Sequence, residues 1–192
     1  MFSEQLKEAT KSNHQALEKK LIAKIKAIGN KHHYGELLVI FYEFFGGLEC
    51  ILEERLELPD LPDYLNRRKT SALANDLKHL GISLPLFATG DALPQINNRS
   101  EALGVLYVIE GSTLGGPIIN KMVSRQLNDI NISEQTFFNA YGGNTEAMWQ
   151  IFKLSLNTTF RSEEQSAIIA SANNTFIKFS AWFDYSLARI NF

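Results

Sequence analysis

The sequence has a single cysteine, Cys50, among 192 residues, which excludes an internal disulfide framework and a cysteine-based zinc site. It also has no block of five like charges, since 19 basic and 21 acidic residues leave a formal charge of −2. The electrostatic signature of proteins that bind nucleic acid or anionic lipid membranes is therefore missing, and we expect a small-molecule partner. Residues 1–5 are polar and do not resemble a secretory leader, so we expect a cytoplasmic protein.

No stretch alternates apolar and polar residues as a strand would, and there is no internal repeat. Apolar residues recur at helical spacing instead. With 45% hydrophobic residues and no linker-like segment, the sequence predicts an all-α, single-domain protein spanning residues 1–192, a compact bundle of seven or eight helices. The predicted helices cover residues 3–28, 34–56, 71–80, 100–127, 145–156 and 162–188, with a weaker one at 134–140.

The apolar stretch 106–119 is unusual because Gly111, Gly115 and Gly116 lie inside a predicted helix. Each glycine there costs ~1 kcal/mol of helix preference relative to alanine. At about 3.6 residues per turn, Gly104, Gly111 and Gly115 fall on one face of that helix. The sequence therefore predicts a helical surface with few side chains.

Three interpretations of this stretch remain open. Small residues allow two helices to pack closely. A membrane span is disfavoured, because Glu110, Ser112 and Pro117 interrupt an apolar run that is already shorter than ~20 residues. The third interpretation is a backbone-lined surface for a planar ligand, which requires a partner residue elsewhere in the chain. In any of these, Pro117 would bend a continuous helix.

The candidate partner is His14, because Glu18 follows it by one turn on the same helical face. A carboxylate there can accept the Nδ1 proton and leave Nε2 available for a metal. Lys7 lies two turns before His14 and could neutralise an anionic group. The sequence lacks a Glu-x-x-His pair, which disfavours a metal held by protein ligands alone. Haem brings four ligands of its own and needs only one such histidine. A lone helical histidine is more often structural or exposed, and the other three histidines are interpreted as surface residues.

Three segments resemble the haem oxygenases. Residues 6–14, with Glu18, resemble the first helix of that family, in which the histidine is the proximal iron ligand and the glutamate orients it. Residues 107–116, with the sequence YVIEGSTLGG, are similar to the distal helix of the bacterial, biliverdin-forming branch. Residues 171–176, with the sequence SANNTF, are similar to the last helix. The order and length of the elements also agree, so the resemblance covers nearly the whole chain.

The resemblance implies a role for each matching residue on the proximal side of a haem. His14 would be the axial iron ligand, and Glu18 would orient it. Lys7 and Tyr107 would contact the haem propionates, and Lys153 resembles the family's other propionate contact.

On the distal side, the resemblance implies that Gly111, Ser112 and Gly115 act in catalysis and that Gly111, Gly115 and Gly116 contact the haem. Ser112 stands where animal members carry an aspartate. The implied reaction is O2-dependent cleavage of haem to biliverdin with release of CO and ferrous iron, haem being both cofactor and substrate. The implied partners are O2 and an electron-donating reductase or ferredoxin, without nucleic acid or membrane.

Two other functions stay open at this stage. One is a haem carrier or sensor of the same fold without turnover. The other is a non-haem, thiaminase-like member of the fold, for which we would expect an acidic or cysteine nucleophile in the pocket. Cys50 is the only thiol available, and we interpret it as a core residue.

Overall fold

The protein is described here by a computed structural model covering residues 1–55, 61, 63–127 and 136–190. Within these ranges there is no strand, which confirms the predicted all-α class. Short 3₁₀ turns lie at Tyr64–Asn66, Gly90–Ala92 and Gly142–Asn144. The α-helices of the described chain are α1 (Phe2–Lys26), α2 (Lys31–Arg55), α3 (Thr70–His79), α4 (Arg99–Gln126), α5 (Thr145–Leu156) and α6 (Ser162–Ile190).

The described residues form six α-helices rather than the predicted seven or eight. The weak helix predicted at 134–140 is wrong over residues 136–140, which form turns, while 134 and 135 lie outside the described residues. The buried carboxylate of Asp76 accepts hydrogen bonds from the backbone N–H of Thr136 at 2.8 Å and of Phe137 at 2.9 Å. These contacts give the two backbone donors partners that a helix would otherwise supply.

The main core lies between α2, α6 and residues 137–138. The buried ring of Phe179 stacks on Phe44 with centroids 4.8 Å apart and meets Phe41 edge-on at 5.0 Å. Burying a side chain of this size stabilises the fold by about 1.5–3 kcal/mol. This aromatic cluster ties α2 to α6 and forms the scaffold on which α1 and α4 are placed.

α4 is the central helix of the bundle. An 18-residue window of it has a mean hydropathy of 1.4, but 56% of that window is buried inside the protein. Its burial is that of a core helix, which is apolar because protein surrounds it. The Asn98 side chain caps its start by accepting from the N–H of Glu101 at 3.0 Å. The helix continues past Pro117 to Gln126.

α1 and α4 run in the same direction and meet at two points. Near their starts, the side chain of Thr10 lies against that of Tyr107. Near their ends, Nε2 of Gln126 donates to the carbonyl of Lys26 at 3.2 Å. Between these points α1 rises about 24 Å and α4 about 28 Å, at about 1.5 Å per residue. Each helix packs more extensively on α6 than on the other. We call the space between the two contact points the α1–α4 gap.

Candidate functional site

His14 lies on the α1 side of the gap, one turn after Thr10. The residue is exposed, and its ring packs edge-on against Phe176 of α6, with centroids 5.5 Å apart and planes at 69°. Among the described residues, no hydrogen bond reaches either nitrogen of the imidazole. The side chain is therefore held by one aromatic contact, and both nitrogens are accessible to a ligand.

Glu18 lies one turn beyond His14 on the exposed surface of α1. The two residues share a helical face, as their spacing predicts. In the part of the chain that the structure describes, no hydrogen bond joins their side chains. The proposed orienting role of Glu18 thus stays a prediction.

Gly111 and Gly115 form the open surface of α4. A methyl group on Gly115 would meet nothing within 4 Å, and one on Gly111 would meet only the Trp149 ring, at 3.8 Å. Because α1 and α4 are parallel, His14 and Gly111 lie at a similar level, each one turn past the Thr10–Tyr107 contact. Helix geometry therefore puts the predicted axial ligand and the bare part of α4 at a similar level on two parallel helices.

The other two glycines of α4 have a different role. A methyl group on Gly104 would lie 2.5 Å from the Ile168 carbonyl oxygen of α6. One on Gly116 would lie 2.1 Å from the Phe138 carbonyl oxygen. Both glycines allow close backbone packing, and the cofactor contact expected of Gly116 stays a prediction. The packing interpretation of the stretch holds for Gly104 and Gly116, whereas Gly111 and Gly115 have free space beside them.

Tyr107 lies at the closed end of the gap. It is buried, and its ring lies 5.7 Å from that of Trp149. Burial raises the pKa of its phenol, while the neighbouring Thr10 side chain acts in the opposite direction. Tyr107 is therefore a neutral hydroxyl at physiological pH, able to donate one hydrogen bond.

The two predicted propionate-binding lysines lie near this end as well. Lys7 is exposed on α1, and Lys153 is half-buried on α5. The backbone N–H of Ser3 donates to Oδ1 of Asn157 at 3.0 Å. Lys7 follows Ser3 by one turn, Lys153 precedes Asn157 by one turn, and α5 runs back from there towards Tyr107. The two lysines therefore lie at a similar height, about one turn below the Thr10–Tyr107 contact.

Sequence reasoning missed a buried ion pair on the other face of α4. Nη1 of Arg67 lies 2.8 Å from Oε2 of Glu110, and the two side chains are 1% and 2% exposed. Nη2 of Arg67 also pairs with Asp63 at 2.7 Å, and the Tyr141 hydroxyl donates to Glu110 at 3.1 Å. Burial lowers the pKa of Arg67, but its hydrogen bonds to Asp63 and Glu110 outweigh that effect and raise it overall. This network anchors α4 to residues 63–68.

Arg68 was missed as well, and it holds the predicted catalytic residue Ser112. Its Nη2 donates to Oγ of Ser112 at 2.6 Å and to the carbonyl of Ile109 at 2.8 Å. The Ser112 hydroxyl donates to the same carbonyl at 2.7 Å. Burial lowers the pKa of Arg68 to about 10, so the guanidinium remains a cation near pH 7. A buried positive charge therefore fixes the Ser112 hydroxyl.

A cavity of about 360 Å³, including space open to solvent, lies beside this network. On a helical wheel, the α4 residues that line it face away from Gly111 and Gly115. The cavity is thus separated from the gap by α4 itself. Its described lining comprises Phe45, Glu49, Leu52, Tyr64, Arg67, Arg68, Lys69, Thr70, Leu106, Ile109, Glu110 and Phe137.

One feature of the sequence could have indicated the ion pair. Glu110 is the only charged residue between Glu101 and Lys121. A charge inside an apolar core helix requires a buried partner. The consecutive Arg67 and Arg68 supply candidates, but only the fold shows which arginine reaches which group.

Comparisons with known proteins agree with this architecture. The family model "Heme oxygenase" matches residues 1–185. Heme oxygenase PigA of Pseudomonas aeruginosa is 27% identical over 180 residues, which are 92% of this chain and 88% of that protein. A heme oxygenase of Xanthomonas campestris is 28% identical over 160 residues, which are 81% of this chain and 93% of that protein.

Two solved structures share the fold. The NO- and CO-bound heme oxygenase from Neisseria meningitidis superposes with a TM-score of 0.82 at 21% identity, covering 98% of this chain and 92% of that one. The heme oxygenase from Leptospira interrogans superposes with a TM-score of 0.74 at 22% identity, covering 95% and 98%. The family-model match over nearly the whole chain confirms the resemblance inferred from the sequence. The chain belongs to the heme oxygenase family and is an enzyme that degrades haem.

Proposed function

We propose that haem binds in the α1–α4 gap with His14 as its axial ligand and is cleaved there, in an O2-dependent reaction, to biliverdin, CO and ferrous iron. The observations that support this proposal are the exposed imidazole of His14 on α1 and the open backbone of Gly115 on the parallel helix α4. A planar ring needs a ligand on one face and a surface without side chains on the other. When bound, haem supplies both the iron at which O2 is reduced and the ring that is opened.

The proximal side of the gap suits a neutral ligand. His14 would hold the haem through a neutral imidazole rather than a thiolate, and a neutral ligand would donate less electron density to the iron. Phe176 restrains the ring from the α6 side. We propose that Glu18, one turn away, accepts the Nδ1 proton once Nε2 is engaged.

The propionates would lie at the end of the gap marked by Tyr107. Lys7 and Lys153 lie at a similar height there on two different helices and could each form a charge-assisted hydrogen bond with a carboxylate. Tyr107 could add a neutral donor beside them. With the propionates at this end, the rest of the haem ring would lie between His14 and the open backbone of Gly111 and Gly115.

On the distal side, we propose that Gly111, Ser112 and Gly115 shape the space for oxygen. The Ser112 hydroxyl donates to Ile109 and accepts from Arg68, which leaves one oxygen lone pair for an ordered water. Gly115 contributes no side chain, so water and oxygen could lie directly against the helix backbone.

The thiaminase-like alternative loses its candidate nucleophile. Cys50 lies on the exposed surface of α2, which corrects its predicted place in the core. Desolvation and the carboxylates of Glu53 and Glu49 raise the pKa of its thiol. A raised pKa disfavours the thiolate that a nucleophile requires. A haem carrier or sensor differs from our proposal only in turnover, so experiment must distinguish the two.

Membership of the heme oxygenase family is also the basis for the proposed partners and location. Haem cleavage requires O2 and electrons, and we propose a reductase or a ferredoxin as the donor, acting in the cytoplasm. We propose no nucleic-acid or membrane partner.

The test is to titrate the purified protein with hemin and then add ascorbate in air. We expect a sharp Soret band at one hemin per chain, followed by bleaching and the appearance of biliverdin absorption. A Soret band that persists through many equivalents of ascorbate, and also with a reductase, would identify a carrier. No Soret band at all would contradict haem binding itself.

A further inference from the structure

Asn173 of α6 is bonded to the turn of α1 that directly precedes His14. Its Oδ1 accepts from Nδ2 of Asn13 at 2.6 Å, and its Nδ2 donates to the carbonyl of Ala9 at 3.2 Å. The same Nδ2 also donates to the carbonyl of Ile169 at 3.2 Å, one turn back in α6. Both ends of the Asn173 amide are therefore used, and one side chain holds two points of α1.

Phe176 lies three residues after Asn173 on the same face of α6, and it contacts the next residue of α1, His14. On a neighbouring face of that α1 turn, the side chain of Thr10 lies against Tyr107 of α4. The turn from Ala9 to Asn13 is thus bonded to α6 on one face and in contact with α4 on the next. His14 is the first residue beyond this fixed turn.

We infer that Asn173 is a positioning residue for His14, an inference that rests on the proposed role of His14 as the haem ligand. Asn173 sets the rotation of α1 about its own axis, and Phe176 then sets the orientation of the imidazole ring. The pair acts through His14 and does not contact the iron.

The geometry makes this rotation important for ligation. Side chains of an α-helix extend to about 5–6 Å from its axis, so a rotation of about 10° moves a side-chain tip by about 1 Å. A functional site must hold its groups within about 0.5 Å and 10–20° of the productive arrangement. If α1 were free to rotate by about 10°, the His14 side chain would move by more than the roughly 0.5 Å that such a site tolerates.

The first test is made on the protein without haem, by NMR of the imidazole Cε1–H and Cδ2–H protons of His14. The ring current of Phe176 makes these shifts sensitive to the relative orientation of the two rings. We expect Asn173→Ala to move them and Asn174→Ala to leave them unchanged. Asn174 is a matched control, since it is half-buried and forms no hydrogen bond within the described residues. Unchanged His14 shifts in Asn173→Ala would overturn the inference.

The second test follows the consequence for haem, using hemin affinity and the iron–histidine stretching band in resonance Raman spectra of the ferrous complex. We expect Asn173→Ala to broaden or shift this band and to weaken hemin binding roughly two- to ten-fold, a range that corresponds to part of the contribution of the two hydrogen bonds from Asn173 to α1. Asn13→Ala should produce a similar change, and the double variant should add little to either single one. An unaltered band in Asn173→Ala, with the band lost in His14→Ala, would overturn the positioning role.

The two tests separate failure of this inference from failure of the proposed function. If His14 is not the axial ligand, the Raman band persists in His14→Ala, but the NMR shifts of the protein without haem still report whether Asn173 orients the ring. If His14 is the ligand and Asn173 does not position it, the NMR shifts and the Raman band both stay at their parental values in Asn173→Ala. Additive effects of Asn13→Ala and Asn173→Ala would likewise contradict a shared action on one turn.

Discussion

Substituting Gly115 by alanine separates the ligand-facing role of this glycine from a packing role. In the protein without haem, the added methyl group meets nothing within 4 Å. The substitution should therefore gain up to ~1 kcal/mol of helix preference without a steric cost. For a chain of this size, that gain corresponds to a rise in Tm of about 2–4 °C. Calorimetry of the haem-free variant checks this expectation.

When haem is bound, the methyl group at position 115 should slow the reaction, even though it stabilises the haem-free protein. With the ring in the α1–α4 gap, the methyl group would project into the space proposed for oxygen and ordered water. We expect hemin to bind with little loss of affinity, while biliverdin forms more slowly or is partly replaced by peroxidase-like activity. The assay is single-turnover absorption spectroscopy after ascorbate addition, with hydrogen-peroxide-dependent guaiacol oxidation as the second readout.

Gly116→Ala is the matched control, one position further along α4. Its methyl group would lie 2.1 Å from the Phe138 carbonyl oxygen, so the backbone must shift. We expect a loss of about 1–3 kcal/mol of stability from overpacking. If Gly115→Ala gives parental turnover together with the raised Tm, Gly115 does not face the haem and the proposed binding surface is wrong.

Three further predictions test other parts of the account. Lys7→Glu should weaken hemin binding on the order of ten-fold or change the biliverdin isomer mixture, since it replaces attraction for a propionate by repulsion; hemin titration and chromatography of the product check this. Lys153→Glu should act likewise, and unchanged affinity and isomer ratio would remove that residue from the proposed site. Glu110→Gln should lower the free energy of unfolding by about 1–3 kcal/mol in urea denaturation, because the buried Arg67 then keeps only Asp63 as a charged partner; parental stability would show that the buried ion pair is not required.

The sequence predicted the helices where apolar periodicity is long and uninterrupted. The predicted span 100–127 and the observed Arg99–Gln126 differ by one residue at each end. The weak helix predicted at 134–140 is not formed over residues 136–140, because Asp76, 60 residues away in the chain, pairs with the backbone N–H groups of residues 136 and 137. Local periodicity contains no information about such a distant acceptor.

For the candidate site, helical spacing predicts which residues share a face of a helix but not what lies opposite that face. Helical spacing placed Gly104 and Gly115 on one face, but what each glycine faces depends on α6 and on the course of α1. Gly104 meets the α6 backbone, whereas Gly115 meets open space. His14 and Glu18 are both exposed on α1, where side chains gain little from pairing, and within the described chain no hydrogen bond joins them. The orienting role of Glu18 stays a prediction.

The Arg68–Ser112 contact could not be derived from the sequence at all. The two residues are 44 positions apart, and their bond depends on how residues 63–68 cross α4. A resemblance to a family identified Ser112 as a functional position but gave no partner for it. Only the fold supplies the buried cation that fixes the hydroxyl.

The most direct test of the central claim is biliverdin formation by His14→Ala, measured by absorption after hemin and ascorbate are added, with and without imidazole. We predict weakened hemin binding and no biliverdin without imidazole, because neither α1 nor α4 carries another histidine. Added imidazole should restore the Soret band and part of the turnover. Biliverdin formation by His14→Ala at the parental rate without imidazole would contradict the assignment of His14 and, with it, haem binding in the α1–α4 gap.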